Sequence, residues 1–254
     1  MKTILLLGDI TGRSRVALRM LSRVLEDRGR EVLMLPTALI SNTLNLGRHE
    51  ALDTTDYLLR SLDTWHALGI VYDLAYIGYI TGREQAEKLC AVADELRAQG
   101  VPVVLDPILG DGGKRYNSVS DGQLAGMRLL CRHADLITPN MTEACLLLGA
   151  EYDAKQGAAH ARSLSKDGCD VLITSCETQT GSAAMTGFLA DVQAEFVIPF
   201  EHVPGHHWGT GDLFTGLLID GLLSGKRLED AAREAGEHVA RQLRGEEKSM
   251  LPEQ

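Results

Sequence analysis

The 254-residue chain has a formal net charge of −10, with 44% hydrophobic and 24% charged residues. This length suffices for one α/β domain with a large core, so no disulfide or metal is needed to fold, and we read residues 1–254 as a single domain. The acidic balance argues against nucleic acid and anionic membranes as partners, although a helix N-terminus can still bind phosphate in an acidic protein. Cys90, Cys131, Cys145, Cys169 and Cys176 form no CxxC pair and no metal-type spacing, which points to free thiols in a reducing compartment. The apolar run at Met1–Gly8 is too short for a signal peptide, and no segment approaches the roughly 20 apolar residues of a membrane span. The expected location is the cytoplasm.

In chain order, Thr3–Leu7 reads as a buried strand and Ser14–Arg28 as a helix with apolar Val16, Leu18, Leu21 and Leu25. Glu31–Leu35 is a strand, Tyr57–Leu68 a helix, Leu74–Ile77 a strand and Glu84–Gln99 a helix. Val101–Leu105 is a β-branched strand, Asp121–Cys131 a helix, Leu136–Thr138 a short strand and Glu143–Leu148 a helix. Ala154–Lys166 reads as helix and Val171–Thr174 as strand. Ser182–Thr186 and Gln193–Ile198 are two further strands with no helix between them. Leu213–Leu223 and Leu228–Leu243 are helices, and the polar tail from Gly245 is expected to fray. Strands alternating with long helices imply a mainly parallel sheet covered on both faces, and the late strand pair implies an antiparallel edge. In such sheets ligands bind at the carboxyl ends of the strands.

Four segments at strand ends could carry chemistry. Gly209-Thr210-Gly211-Asp212 precedes an apolar helix, whose free N–H groups and dipole favour an anion. Asp212 there suits a general base for an attacking hydroxyl, or is an N-cap after a glycine turn. Asp106-Pro107 leads into Ile108–Tyr116, a glycine-rich charged stretch that suits either a flap over polyphosphate, with Lys114 or Arg115 reaching the charge, or an ordinary surface loop. Thr138-Pro139-Asn140 with Glu143 could hold hydrated magnesium, or form a capping box. Thr174-Ser175 could bond nucleotide phosphates or cap a turn. Gly8–Ser14 lacks both the lysine and the glycine spacing of a P-loop. His206-His207 has no third ligand at metal spacing. Cys176 has no identifiable base beside it, which favours a buried thiol.

In order, spacing and type these segments resemble the ribokinase superfamily, and within it the pyridoxal kinase group. Asp106–Asp111 is similar to that group's strand-end and flap motif. Thr138-Pro139-Asn140 with Glu143 is similar to its magnesium and nucleotide motif, Thr174-Ser175 to a phosphate-contacting pair, and Gly209–Phe214 to its anion hole and catalytic aspartate. Leu35-Pro36-Thr37, Ser41-Asn42 and Gly78-Tyr79 extend the likeness over nearly the whole chain. The resemblance implies a ribokinase-like three-layer α/β sandwich. It also implies ATP-dependent phosphorylation of the 5′-hydroxymethyl group of a vitamin B6 compound, with magnesium and a monovalent cation as cofactors, by a homodimer.

The resemblance further implies roles for individual residues. Asp212 would be the base, and Gly209, Thr210 and Gly211 the anion hole. Asp106, Thr138 and Glu143 would organise cations. Asp111 and Tyr116 would lie in the flap, and Asn140, Glu143, Thr174 and Ser175 would serve the nucleotide. Asp9, Thr43 and Tyr79 would face the substrate. The chain departs from the group on the substrate side: it reads Ser41-Asn42-Thr43-Leu44 where a His-Thr pair is usual after Ser-Asn, and Arg13, Ser14 and Arg15 replace a more glycine-rich turn. A hydroxymethylpyrimidine kinase, another small-molecule or sugar kinase of the superfamily, and a non-catalytic B6-binding protein are the alternatives. A cysteine is frequent at the position of Asp212 in the first of these.

Overall fold

The computed structural model describes residues 1–43, 48–201, 203, 208–247 and 249–251. Leu44, His206 and His207 therefore lie outside the described residues, as do parts of the tail. The chain divides into two compact units, Met1–Tyr79 with His202–Gln254, and Ile80–Glu201.

In the first unit the strands are β1 (Thr3–Thr11), β2 (Glu31–Ile40), β3 (Ala51–Asp53) and β4 (Leu74–Ile77). They run in the order β4-β1-β2-β3, with β1 parallel to both neighbours and β3 antiparallel at the edge. Ile4, Leu5, Leu6 and Leu7 are fully buried, as expected of a strand covered on both faces. The helices are α1 (Leu18–Asp27), α2 (Thr55–Ala67), α7 (Thr210–Leu223) and α8 (Leu228–Leu243). Helix α7 is apolar on nearly every side, with Leu213, Phe214, Leu217, Leu218 and Ile219 buried. Glycines let its neighbours close in: a Cβ on Gly216 would meet Val24 at 3.0 Å, and one on Gly221 would meet Ala231 at 2.8 Å.

The second unit holds α3 (Arg83–Ala98), α4 (Asp121–Leu130), α5 (Met141–Leu148) and α6 (Gly157–Leu164). Its main strands are β5 (Val103–Leu105), β8 (Leu136–Ile137), β9 (Asp170–Glu177), β10 (Ala183–Leu189) and β11 (Ala194–Pro199), in that spatial order. The first three are parallel, and β10 and β11 form the antiparallel edge expected from the sequence. β6 (Gly110–Asp111) and β7 (Lys114–Arg115) make a small separate hairpin. All five cysteines belong to this unit, and all are buried. Burial pushes the thiols of Cys90 and Cys169 up to about 11 and that of Cys176 to about 12.

Several expectations need correction. The first helix starts at Leu18, not Ser14, because Ser14 (φ 83°) and Ala17 (φ 53°) take left-handed backbone that a helix cannot continue through. The helix expected from Leu213 begins at Thr210, immediately after left-handed Gly209 (φ 80°). The segment expected as one helix over 154–166 is α6 flanked by two short 3-10 turns. The tail does not simply fray among its described residues: Glu247 pairs with Arg241 and His238, and the Met250 N–H donates to Gln242 Oε1 at 2.8 Å.

Candidate active site

Asp9 lies inside β1, where the register with β2 shifts between Gly8 and Asp9. Pro36, opposite Gly8, has no N–H for the ladder, and Thr37 is the extra residue of the resulting irregularity. The Thr37 hydroxyl donates to the Tyr79 carbonyl at 2.6 Å, tying the end of β4 to this kink. Asp9, Thr37 and Tyr79 are all buried. Thr43 is buried too, and its hydroxyl has no partner among the described residues.

Asp212 is the third residue of α7, so it is not the N-cap that its sequence also allowed; that position belongs to Gly209. Its Oδ2 accepts the Ala17 N–H at 2.8 Å, which fixes the carboxylate against the left-handed turn before α1. Burial pushes Asp212 up to about 6, against the pull of the Ala17 N–H. Asp9 is pushed up to about 7, first by burial and then by the Asp212 charge, with its own backbone N–H opposing. The two carboxylates thus interact: near neutral pH Asp212 is mostly ionised, and its charge helps Asp9 keep a proton. The Gly209 carbonyl accepts the Leu213 N–H at 2.9 Å, closing the first turn. Gly211 is exposed, and a Cβ built there would meet no atom within 4 Å.

The second unit gathers a different set. Asn140 caps α5, its side chain accepting the Glu143 N–H at 3.0 Å while Glu143 Oε2 accepts the Asn140 N–H at 2.8 Å. The capping box is therefore formed, yet it does not exhaust these side chains. Glu143 Oε1 also accepts the Leu109 N–H at 3.1 Å, and Asn140 Nδ2 donates to the Gly110 carbonyl at 2.8 Å. The Gly113 N–H donates to Thr142 Oγ1 at 2.9 Å. Three residues of the Thr142–Asn140–Glu143 corner thus hold the β6–β7 hairpin, a link the sequence did not reveal because it runs largely through backbone groups. Asp106 and Glu143 are both buried, and burial followed by the Asp106 charge holds Glu143 well above the usual carboxylate range. Thr138 is buried with its N–H on the Leu105 carbonyl at 3.0 Å.

Asp111, in β6, is exposed and accepts the Gly112 N–H at 2.7 Å, while the Tyr116 N–H donates to the Leu109 carbonyl at 3.0 Å. The segment expected as a loose flap is therefore hydrogen-bonded at its base. Gly110 makes the hairpin possible, because a Cβ there would collide with the Lys114 carbonyl. Thr174 and Ser175 sit on a bulge of β9, where both fall between Ile173, opposite Thr186, and Cys176, opposite Ala184. Ser175 takes φ 58°, and the Thr174 N–H donates to the Pro139 carbonyl at 3.0 Å. Such bulges re-aim side chains near ligand sites. Cys176 is buried, as expected of an inert thiol.

Asp106 and Glu143 suit a magnesium ion that arrives with a polyphosphate, since two buried, mutually repelling carboxylates gain from a cation and magnesium needs only one or two of them. Among the described residues no group of three or more His, Cys, Asp or Glu forms a self-sufficient metal site. No helix there is long and apolar enough to cross a membrane.

Residues 37–251 match the model of the phosphomethylpyrimidine kinase family. The pyridoxine/pyridoxal/pyridoxamine kinase of Bordetella avium is 30% identical over 220 residues, covering 83% of this chain and 74% of that protein. A candidate pyridoxal kinase of Schizosaccharomyces pombe is 30% identical over 207 residues, covering 74% of this chain; the chain spans 58% of that relative's length. A candidate phosphomethylpyrimidine kinase of Bacteroides thetaiotaomicron, crystallised with pyridoxal, superposes with a TM-score of 0.88 at 29% identity, over 98% of this chain and 89% of that one. The pyridoxal kinase of Lactobacillus plantarum shares the fold, with a TM-score of 0.84 at 24% identity over 97% of this chain and 89% of that one. With its mainly parallel strands, its antiparallel edge and the match over residues 37–251, the chain belongs to the phosphomethylpyrimidine kinase family of ribokinase-like kinases.

Proposed function

We propose that the chain transfers the γ-phosphoryl group of magnesium-bound ATP to the 5′-hydroxymethyl group of pyridoxal, pyridoxine or pyridoxamine. The observation that carries this reading is Asp212, held by the Ala17 N–H in the first turn of α7 and with its proton affinity raised toward neutral pH. A base of this kind takes the hydroxyl proton as the oxygen attacks phosphorus and the bond to the ADP oxygen breaks. The N–H groups that open α7 stabilise charge on the transferring group. Gly211 supports this role: neither packing nor a positive φ requires glycine there, so its missing side chain leaves room for a ligand. Asp9, Tyr79 and Thr43 serve the substrate ring. Asn140, Thr174, Ser175 and the β6–β7 hairpin with Asp111 and Tyr116 serve the nucleotide. Asp106, Glu143 and Thr138 organise the cation, which supplies charge neutralisation on the phosphates. The reading takes the enzyme as cytoplasmic, on its scattered free cysteines, and, as the resemblance implies, as homodimeric.

The vitamer specificity rests on the relatives named for B6 kinases and on the Bacteroides protein crystallised with pyridoxal. Phosphorylation of a hydroxymethylpyrimidine is the second reading, favoured by the family match itself. The test is ATP consumption with pyridoxal, pyridoxine, pyridoxamine and hydroxymethylpyrimidine, with Asp212→Asn in parallel. Turnover on a B6 vitamer is expected, falling roughly 10²–10⁴-fold in the variant while ATP binding persists. The wild-type rate should also decline as pH drops through about 6, because only ionised Asp212 is a base. Turnover on the pyrimidine alone would replace the substrate, and an unimpaired variant would remove Asp212 from the role of base.

A further inference from the structure

Arg15, Arg19 and Arg23 line an open groove of about 220 Å³ with Met20. Neither Arg15 nor Arg19 has a carboxylate partner among the described residues, and Arg23 has only a long one. Arg19 reaches only carbonyls, Thr11 O at 3.4 Å and Ser14 O at 3.5 Å, and Arg23 Nε stands 4.0 Å from Asp27 Oδ2. Two other arginines of the same unit show what a close pair looks like: Arg30 sits 2.6 Å from Asp220, and Arg241 2.6 Å from Glu247. Three cations with one long ion pair among them thus share a concavity in a chain of net charge −10.

The arrangement also works against local stability. Arg19 and Arg23 are one turn apart on α1, a spacing at which like charges repel. Arg15 and Arg19 lie near the positive end of that helix, whose first turn holds no acidic residue. A bound anion would relieve both repulsions. Guanidinium groups are planar forks suited to phosphate oxygens, and a small groove admits one phosphate group more readily than an extended polyanion.

We propose that Arg15, Arg19 and Arg23 form a binding site for a dianionic phosphate group. The site takes free phosphate or the phosphate of a small phosphomonoester. It borders the turn whose Ala17 N–H holds Asp212.

The test is calorimetric titration of the full chain with inorganic phosphate and, separately, with pyridoxine 5′-phosphate, both in saturating ADP and magnesium. Wild type is expected to bind with an affinity that weakens as salt rises. The Arg15→Gln/Arg23→Gln double variant is expected to lose at least about tenfold, the scale of one charge-assisted contact. Arg19 is left in place because it braces two loop carbonyls. An Arg15→Lys/Arg23→Lys variant, which keeps the charge and the fold, should lose several-fold less than the glutamine variant. Stronger binding of the ester that the glutamine variant loses would identify a phosphomonoester as the ligand, and equal, equally lost binding of both would identify the free anion. No binding to wild type, or equal binding to wild type and the glutamine variant, would overturn the proposal.

Discussion

A buried aspartate that keeps its proton to about pH 7 costs the folded protein stability at neutral pH. Asp9 rises from 3.8 to about 7 on folding. Below about pH 4 both states hold the proton and nothing is lost. As pH rises through the interval to 7 the unfolded chain releases it first, and the folded state falls behind by on the order of 4 kcal/mol at most. Asp9→Asn is therefore expected to raise the melting temperature at pH 8 and to leave it nearly unchanged at pH 4; a shift of equal size at both would refute the assignment of the cost to ionisation. The same residue would lose turnover if it contacts the substrate, giving a more stable and less active protein. Gly211 separates function from folding in the opposite way. Gly211→Ala enters open space in a helix, so stability should hold or rise by up to about 1 kcal/mol. Turnover should nevertheless fall if phosphoryl oxygens approach that backbone closely. Full activity in this variant would remove the anion-hole role.

At the scale of elements, the order of strands and helices was legible because the apolar runs switch cleanly between periods. What was missed has local physical causes. β3 is three exposed residues, Ala51–Asp53, with no apolar alternation to announce it. The start of α1 was placed four residues early because nothing in the composition of Ser14–Ala17 reports a left-handed backbone at two non-glycine residues. The β6–β7 hairpin reads as loop in sequence because its strands are two residues each, and its anchors are backbone groups received by Asn140, Thr142 and Glu143. The candidate site residues were chosen from motif type and spacing, which sequence does display. Their supports, the Ala17 N–H on Asp212 and the bulge beneath Thr174 and Ser175, were not, since a main-chain donor has no signature in sequence. Gly110→Ala tests the hairpin. The Cβ collision should open it and raise the KM for ATP about tenfold, with a melting-temperature loss of only a few degrees. An unchanged KM would reduce the hairpin to a surface ornament.

For the whole molecule, the division into two units also divides the chemistry. The Asp9–Asp212 pair belongs to one unit, and Asp106, Glu143 and the phosphate-contacting candidates belong to the other. Damage should therefore sort by unit. Glu143→Gln, which keeps one oxygen to accept the Asn140 N–H but replaces the other acceptor with an amide donor and removes the charge, is expected to raise the magnesium concentration needed for half-maximal activity several-fold. Affinity for the B6 vitamer should stay within about twofold, because no residue assigned to it is touched. A magnesium titration superimposable on wild type would reduce Glu143 to its capping role.

The same division has sorted the chain's natural reporters. Trp65 and Trp208, its only tryptophans, lie in the first unit, and all five cysteines lie buried in the second. Tryptophan emission in rising denaturant thus follows the opening of one unit, while alkylation of newly accessible thiols follows the other, with no engineered label. Coincident midpoints would mean that the two units open in one cooperative step, and separated midpoints would rank them.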